Sequence, residues 1–475
     1  MSARESDHGV PSTDGRDKGL GSGPHALSPS TGPAEFAICA VIYAVGQGCN
    51  VLFQLLLLRH FGALAYGEIG LAHLAFLLVG FVGDLGYATI LLREKPDAAG
   101  WERQWRLALG HKLLLTLGLY ALTLGGWVTV YGRANEGFAY LAATVPAGLA
   151  GLASLSPALL AGRRRIPAFL VQQIPWPAAL MVWALVGGAN GSALQAGLIV
   201  SAGFAVQPLV GLFFCQQPSL LLPLFGAGSA MLGAATRLSA MGIAGALHDR
   251  LTPFLVARLA PDFLPLMLLL GHGMNGASGI LMQVNRLLLP HIPSRAGLVW
   301  SGRLFAVVLV GIAATVQFLL LALAVRADGG SAFHPALLLP TLLAWGMSLS
   351  GGVLATELIG RHRESRLARV LLLGLAASAA LQISFALASS ADGVLWARLI
   401  GVAGIAAASL GLCGISLNRA GWAICGSLFL AALAPLSPLI WAASALLLIG
   451  GTIAAAVDRA VLYRDEHEWS GPCAA

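Results

Sequence analysis

Charged residues are scarce in this chain of 475 residues, and that scarcity is the first constraint on its class. Asp, Glu, Lys and Arg make up 10% of the sequence, whereas 57% is hydrophobic and the mean hydropathy is +0.80. Soluble domains carry about 25% charged residues, so a water-soluble globule of this composition would expose large apolar surfaces. Strand-like alternation, which a membrane barrel requires, is also missing. These absences predict an all-α polytopic membrane protein.

Several chemical signatures are missing as well. No cysteine pair is spaced as CxxC and no Cys/His spacing suits a metal, so neither a metal nor another cofactor is predicted. No Walker-type phosphate loop occurs, which excludes ATP as the direct energy source. The net charge is +7, but the basic residues lie in short loops between apolar segments. There they orient helices, and no nucleic-acid role is predicted.

The apolar stretches predict 14 helices, most of them long enough to cross about 30 Å of hydrocarbon. Their ranges are 34–58, 66–92, 110–131, 137–161, 168–187, 192–215, 238–257, 262–285, 303–325, 335–360, 369–389, 393–417, 420–434 and 437–457. Residues 101–112 are predicted to form a separate amphipathic helix on the membrane surface.

The helices divide the chain into six predicted parts. These are a disordered cytoplasmic tail (1–33), an N-terminal six-helix lobe (34–215), a cytoplasmic linker (216–237), a C-terminal six-helix lobe (238–417), an extra helix pair (418–457) and a cytoplasmic tail (458–475).

Positive charge orients this arrangement. With the N-terminus inside, the basic residues of the outer loops are Arg59, Arg133, Arg258 and Arg326. Two more, Arg250 and Arg398, fall within helices, and the remaining 22 of 28 lie on the inner side. Because cytoplasmic loops are enriched in Lys and Arg, both termini are predicted to be cytoplasmic.

Polar side chains recur at helical spacing within three predicted helices and in direct succession within a fourth. The first carries Tyr43, Gln47, Asn50 and Gln54, and the eighth carries His272, Asn275, Gly279, Gln283 and Arg286. The second carries His73, Gly80 and Asp84, and the seventh carries His248, Asp249 and Arg250. Such stripes either bond helices together or line a polar cavity between two lobes.

Individual charges within the helices have competing interpretations. Arg250 either extends to the membrane surface or faces a cavity and binds an anion. Asp84 either accepts hydrogen bonds from the end of a neighbouring helix or serves gating or proton coupling. We expect Arg398 to extend to the surface and Glu357 to pair with Arg361 one turn later.

The stretch RHFGALAYGEIGLAHLAFLLVGFVGDLGYATILLRE, residues 59–94, resembles the oligosaccharide-lipid flippases. These belong to the multidrug/oligosaccharidyl-lipid/polysaccharide exporter superfamily. The matching motifs are Arg59-His60-Phe61-Gly62, Tyr66-Gly67, Asp84-Leu85-Gly86 and Arg93-Glu94. Asp249-Arg250 and Pro290 match features of the seventh and eighth helices, whereas the turn Ala260-Pro261-Asp262-Phe263 departs from the usual Gly-rich one.

The resemblance implies two six-helix lobes in a V shape plus two extra helices. It further implies a transporter that flips an undecaprenyl-diphosphate-linked repeat unit, by alternating access, between the leaflets of the bacterial inner membrane. The flipped repeat unit would be used for surface polysaccharide synthesis, with a polymerase and chain-length machinery as partners. A proton or sodium gradient would supply the energy.

The candidate site residues follow from the stripes and the resemblance together, and none is catalytic. Candidates for substrate binding are Arg250, His248, His272, Arg286, Gln47, Asn50, Gln54, Asn275 and Tyr43. Candidates for coupling or gating are Asp84, Asp249 and His73.

Other functions remain open at this point. A multidrug/cation antiporter of the same superfamily would need acidic groups where this chain has Arg250, His248 and His272. A polysaccharide polymerase or glycosyltransferase would need a large outer loop, and none here exceeds about ten residues. A membrane scaffold would not need polar stripes.

Overall fold

The computed structural model describes residues 33–92, 100–188, 192–226, 228–288, 295–325, 335–361, 363–433, 437–458 and 462–464. The helices of the N-terminal part are α1 (Pro33–Asp84), α2 (Tyr87–Leu91), α3 (Trp101–Tyr131), α4 (Glu136–Ala143), α5 (Val145–Leu152), α6 (Ser156–Ala161), α7 (Arg165–Gln173), α8 (Pro175–Val186) and α9 (Ala193–Cys215). A 3₁₀ turn, Pro218–Leu221, follows. The later helices are α10 (Ser229–Leu259), α11 (Leu264–Leu288), α12 (Arg295–Val325), α13 (Pro335–Gly360), α14 (Glu364–Leu387), α15 (Ala391–Leu412), α16 (Arg419–Leu433) and α17 (Pro438–Asp458).

Eleven helical stretches among the described residues are long and apolar enough to cross a membrane. One of them covers most of α1, which contains two of the predicted helices. The 15-residue α16 falls short of the length required, and the charged helix α10 is not among the eleven. The prediction of a mostly helical, multi-pass membrane protein is confirmed.

The helix α1 is a hairpin of two limbs joined at Gly62. This residue has φ 76° and ψ 173°, a conformation essentially confined to glycine. In a straight helix, residues 12 positions apart would be separated by about 18 Å. The hydroxyl of Tyr66 instead donates a hydrogen bond to Gln54 at 3.3 Å. The limbs before and after Gly62 therefore lie side by side, as the predicted helix pair requires.

The second limb ends earlier than the predicted range 66–92. Leu85 and Gly86 have positive φ values of 46° and 71°, which stops the helix at Asp84 before the short α2. A methyl group added at Gly86 would lie 3.2 Å from the Cβ of Ser239 on α10. Glycine here therefore permits both the turn and a close approach between α10 and the end of the hairpin.

Proline divides two other predicted helices. The range 137–161 becomes α4, α5 and α6, with Pro146 and Pro157 in the first turns of the two later segments. Pro175 likewise opens α8 and separates it from α7. Proline has no N–H to donate and its ring clashes with the preceding turn, so each helix restarts at it.

The predicted surface helix 101–112 is not a separate element. These residues form the first part of the long helix α3. Their indoles bind protein groups and do not lie free on the membrane surface. The Nε1 of Trp105 donates to the carbonyl of Leu220 at 2.8 Å, and that of Trp101 donates to Leu91 at 3.3 Å. Both side chains are buried.

Two further boundaries differ from the prediction. The helix α10 begins at Ser229, so part of the expected linker 216–237 is helical. Residues Ile415–Leu417, expected at the end of a helix, form strand β1, which pairs antiparallel with β2 (Leu462–Arg464). This two-stranded ribbon connects the end of α15 to the segment after α17. The two strands are too far apart in sequence for a local pattern to predict their pairing.

Two large apolar cores correspond to the two halves of the chain. The first is built mainly from α1, α4, α8 and α9, and the second from α12, α13 and α16. Leu264 and Leu268, at the start of α11, are buried in the first core. The helix α11 therefore joins the C-terminal half to the N-terminal half.

Close helix packing predicts that adding a side chain at a packed glycine lowers the free energy of unfolding, whereas adding one at an open glycine does not. A methyl group at Gly203 on α9 would lie 2.9 Å from the backbone nitrogen of Ala179 on α8. We expect Gly203→Val to lower the free energy of unfolding by about 1–3 kcal/mol, the usual effect of overpacking. Thermal unfolding in detergent measures the change. Gly126→Val on α3 is the control, since nothing lies within 4 Å of its added methyl group; equal melting temperatures for both variants would contradict the packing.

Candidate functional site

The two halves meet along a contact between α1 and α11, which we call the seam. Small residues on each helix let the other approach. Methyl groups added to the glycines would touch side chains across the seam at four positions: Gly67 with Leu264, Gly70 with Leu268, Gly276 with Gln47 and Gly279 with Tyr43. The seam thus extends along both limbs of the hairpin.

Two predicted site residues face each other in the middle of the seam. The imidazole rings of His73 on α1 and His272 on α11 have centroids 5.3 Å apart, and the residues are 0% and 2% exposed. His73 Nδ1 lies 2.8 Å from the hydroxyl of Tyr140. Neither Nε2 atom has a hydrogen-bond partner among the described residues. Leaving buried polar atoms unpaired is costly, so this pair has unused binding capacity.

The polar stripe of the first limb is packed inside the protein. Gln47 donates to the side chain of Gln173 at 3.0 Å, and Gln54 accepts from Tyr66. Tyr43, Asn50 and Gln54 are buried, and Asn50 Oδ1 and Gln54 Nε2 lack partners in the part that the structure describes. In this conformation the stripe bonds helices together and does not line an open cavity.

The stripe of α11 is only partly described. His272 and Gly279 face the seam, whereas Asn275 is exposed. The side chains of Gln283 and Arg286 lie outside the described part, so the prediction for Arg286 has no structural counterpart here. Pro290 and Arg93-Glu94 also lie outside the described residues.

The three consecutive polar residues of α10 have different surroundings. His248 is buried between α10 and α14, 2.8 Å from the hydroxyl of Ser378 and 3.1 Å from Gln382 Nε2. Thr252 joins the same network by donating to Gln382 at 2.7 Å. His248 is therefore hydrogen-bonded within the C-terminal half and is not brought together with the imidazole pair.

On the same helix, Asp249 is exposed and Arg250 is half-buried. Asp249 pairs with Arg398 on α15 at 3.1 Å, so the expected extension of Arg398 to the membrane surface is wrong. A partner on a helix in direct contact with α10 outweighs the membrane surface, because the ion pair stabilises both charges. Arg250 makes no ion pair or hydrogen bond within the described chain. Its helix, α10, packs against both α1 and α11, so Arg250 lies on a helix that borders the seam.

Two other expected charges are also paired. Asp84 forms an ion pair with the buried Lys112 of α3, so its partner is a side chain and not a helix end. Glu357 pairs with Arg361 at 2.9 Å, which confirms that prediction, and accepts a hydrogen bond from Ser301. Among the residues that the structure covers, no group of three His, Cys, Asp or Glu side chains is placed to hold a metal ion.

Sequence reasoning missed the partners of the candidate residues. Tyr140, Gln173 and Lys112 each bond a predicted site residue, and Arg398 neutralises another. Tyr140 and Gln173 are polar residues inside apolar predicted helices, which is the one signal that favoured them. Their pairing depends on tertiary contacts that spacing within one helix does not report.

This architecture defines the class: a multi-pass helical membrane protein of two packed halves. Its fold is that of the MATE transporters of the MOP superfamily. A structure of MATE in complex with MaD3S matches with a TM-score of 0.53 and 11% identity, over 80% of this chain and 94% of that chain. The eukaryotic MATE transporter AtDTX14 matches with a TM-score of 0.52 and 16% identity, over 79% and 94%.

A MOP superfamily transporter from Pyrococcus furiosus, described as having a binding pocket of reverse polarity, also matches. The TM-score is 0.52 at 12% identity, over 80% of this chain and 94% of that chain. No family model and no curated protein matches the sequence. Identities this low show a shared fold alone.

The Asp84–Lys112 pair generates a stability prediction. Asp84→Asn leaves a buried ammonium without its carboxylate, so we expect the free energy of unfolding to fall by about 1–3 kcal/mol. Adding Lys112→Met should recover most of that loss, since replacing both partners of a buried pair by apolar groups is often neutral. Thermal unfolding of the single and double variants measures this.

The matched control is Glu102→Gln, which breaks a looser pair with Arg106 on the exposed face of α3, where the ions are 4.0 Å apart. Its effect should stay within about 0.5 kcal/mol. If the double variant is no more stable than Asp84→Asn alone, the main role of Asp84 is not to stabilise the charge of Lys112.

Proposed function

We propose that this protein is a transporter that flips a lipid-linked oligosaccharide across a bacterial inner membrane. Its substrate would be an undecaprenyl-diphosphate-linked repeat unit, moved from the cytoplasmic to the periplasmic leaflet for O-antigen or exopolysaccharide synthesis. The observation that carries the proposal is Arg250, a guanidinium with no partner in the described chain, on a helix that packs against both helices of the seam, where two buried imidazoles face each other.

The chemistry of the substrate matches these groups. A diphosphate with attached sugars cannot cross hydrocarbon bare, because each stranded polar group costs several kcal/mol. A guanidinium binds phosphate oxygens in bidentate fashion, and this suits Arg250 to the diphosphate. The Nε2 atoms of His73 and His272 would add hydrogen bonds there, while the isoprenoid tail remains in the bilayer.

Alternating access would come from opening the seam. In the closed form, Asn50 and Gln54 hold polar atoms that lack partners among the described residues. Separation of α1 from α11 would expose these amides and Tyr43 to the sugar hydroxyls. Binding of sugar would then offset the loss of helix–helix contacts, so the substrate itself favours the open form.

The proposal includes an energy source and protein partners. A proton or sodium gradient would drive the cycle. His73 is suited to proton coupling because it lies in the seam, and Asp84 is suited to gating through its pair with Lys112. A polysaccharide polymerase and chain-length machinery would consume the flipped repeat unit.

A multidrug/cation antiporter is the second candidate, favoured by one specific observation. The side chain of Asp249 is 59% exposed and offers a carboxylate to a cation. The MATE fold is compatible with this activity. Against it, Asp249 is already paired with Arg398, whereas Arg250 is not paired.

The decisive variant is Arg250→Ala, introduced into a bacterial strain that lacks the wild-type gene. Loss of a charged contact to phosphate costs several kcal/mol, and each 1.4 kcal/mol is about tenfold in affinity. We expect surface polysaccharide to fall at least about tenfold while complete lipid-linked repeat units accumulate in the inner leaflet. Both quantities are measured on the same cells.

Arg258→Ala is the matched control, since Arg258 is exposed at the end of the same helix. That variant should keep wild-type polysaccharide. Normal polysaccharide in the Arg250→Ala and deletion strains, together with new sensitivity to cationic drugs on deletion, would reject the flippase and favour the antiporter.

A further inference from the structure

An ion pair between Asp249 and Arg398 joins α10 to α15. Arg398 Nη2 on α15 lies 3.1 Å from Asp249 Oδ1 on α10, and the side chains are 13% and 59% exposed. Arg398 is thus the fixed, largely buried member of the pair, and Asp249 is the member that other molecules can reach.

The carboxylate of Asp249 is 59% exposed, and we expect it to face water and not lipid. Asp249 lies ten residues before the end of α10 at Leu259, or about 15 Å along the helix axis. An aspartate facing lipid at the middle of a membrane helix would cost about 2.5–3.5 kcal/mol. Arg250 directly follows Asp249 on α10, so the carboxylate that Arg398 binds belongs to the residue next to Arg250.

The signs of these three charges leave one net positive charge. Asp249 cancels Arg398, and Arg250 remains without a partner in the described chain. Without Arg398, the free carboxylate beside Arg250 would cancel its charge. The same helix would then present no net attraction for an anion.

We propose that Arg398 is a specificity-determining residue: it neutralises Asp249 and so keeps Arg250 available to a diphosphate-bearing substrate. This inference rests on the proposed function, because it assumes that Arg250 meets an anion. Arg398 itself makes no contact with the substrate. Its role is to remove a competing carboxylate.

The test uses purified full-length protein in lipid nanodiscs and measures binding of undecaprenyl diphosphate, with uncharged undecaprenol as the control ligand. We expect Arg398→Gln to weaken binding of undecaprenyl diphosphate about tenfold, as removal of one favourable charge effect implies. The double variant Asp249→Asn/Arg398→Gln should return to within about threefold of wild type, because it removes the carboxylate as well. Undecaprenol binding should not change.

Two further variants make the outcomes distinct. Asp249→Asn alone adds net positive charge and should bind at least as tightly as wild type, which tests the inference even where Arg398→Gln does not fold. Weaker binding by Asp249→Asn, or a double variant as weak as Arg398→Gln, would overturn the role of Arg398. Wild-type binding by Arg250→Ala would instead reject the cationic site of the proposed function, so the two failures are distinguishable.

Discussion

The contact between α1 and α11 holds two imidazoles where bulk solvent does not reach them, and the remaining architecture depends on that contact. Glycines on both helices allow the approach, and Leu264 and Leu268 extend the first apolar core across to the C-terminal half. Inside hydrocarbon, polar groups must find partners within the protein or face water. His73 and His272 meet that requirement incompletely, because their Nε2 atoms have no partner in the described chain. A closed seam with unmet polar capacity is suited to opening around a polar substrate.

Charge is distributed unevenly between the two halves. In the N-terminal half, Asp84 is neutralised by Lys112 on the neighbouring helix. In the C-terminal half, Asp249 is neutralised by Arg398, and the excess charge is left on Arg250. A few long-range pairs therefore decide where charges are neutralised and, under the proposed function, where an anion would bind. The fold shared with MATE transporters supplies the two halves, and these side chains would supply the preference for an anion.

Apolar length was sufficient to predict a multi-pass helical membrane protein. The helices α9 and α13 have bounds within a residue or two of the prediction, and Gly62 joins two predicted helices where a turn was expected. The pair Glu357–Arg361 was predictable because its members are one helical turn apart.

The contacts that the sequence did not predict share one physical cause. Local periodicity reports neighbours within one helix and carries no information about tertiary partners. Arg398 is 149 residues from Asp249, and His248 bonds residues 130 or more positions away. Sequence reasoning placed His248, His73 and His272 around one predicted cavity, but the packing of α10 against α14 separates the first from the other two. The spacing of Trp101 and Trp105 predicted anchors at the membrane surface. Their indoles instead donate hydrogen bonds to backbone carbonyls from other segments of the chain.

The most direct measurement is a reversible lock across the seam. A Cβ atom at Gly70 would lie 3.8 Å from Cβ of Leu268, within the range of about 3.5–4.5 Å that a disulfide requires. The pair Gly70→Cys/Leu268→Cys, in a chain whose six native cysteines are replaced, should crosslink on oxidation. We predict that the crosslink stops flipping of a lipid-linked oligosaccharide in proteoliposomes, that reduction restores it, and that neither single cysteine responds. Complete crosslinking with transport at the wild-type rate would contradict a transporter that works by opening this seam.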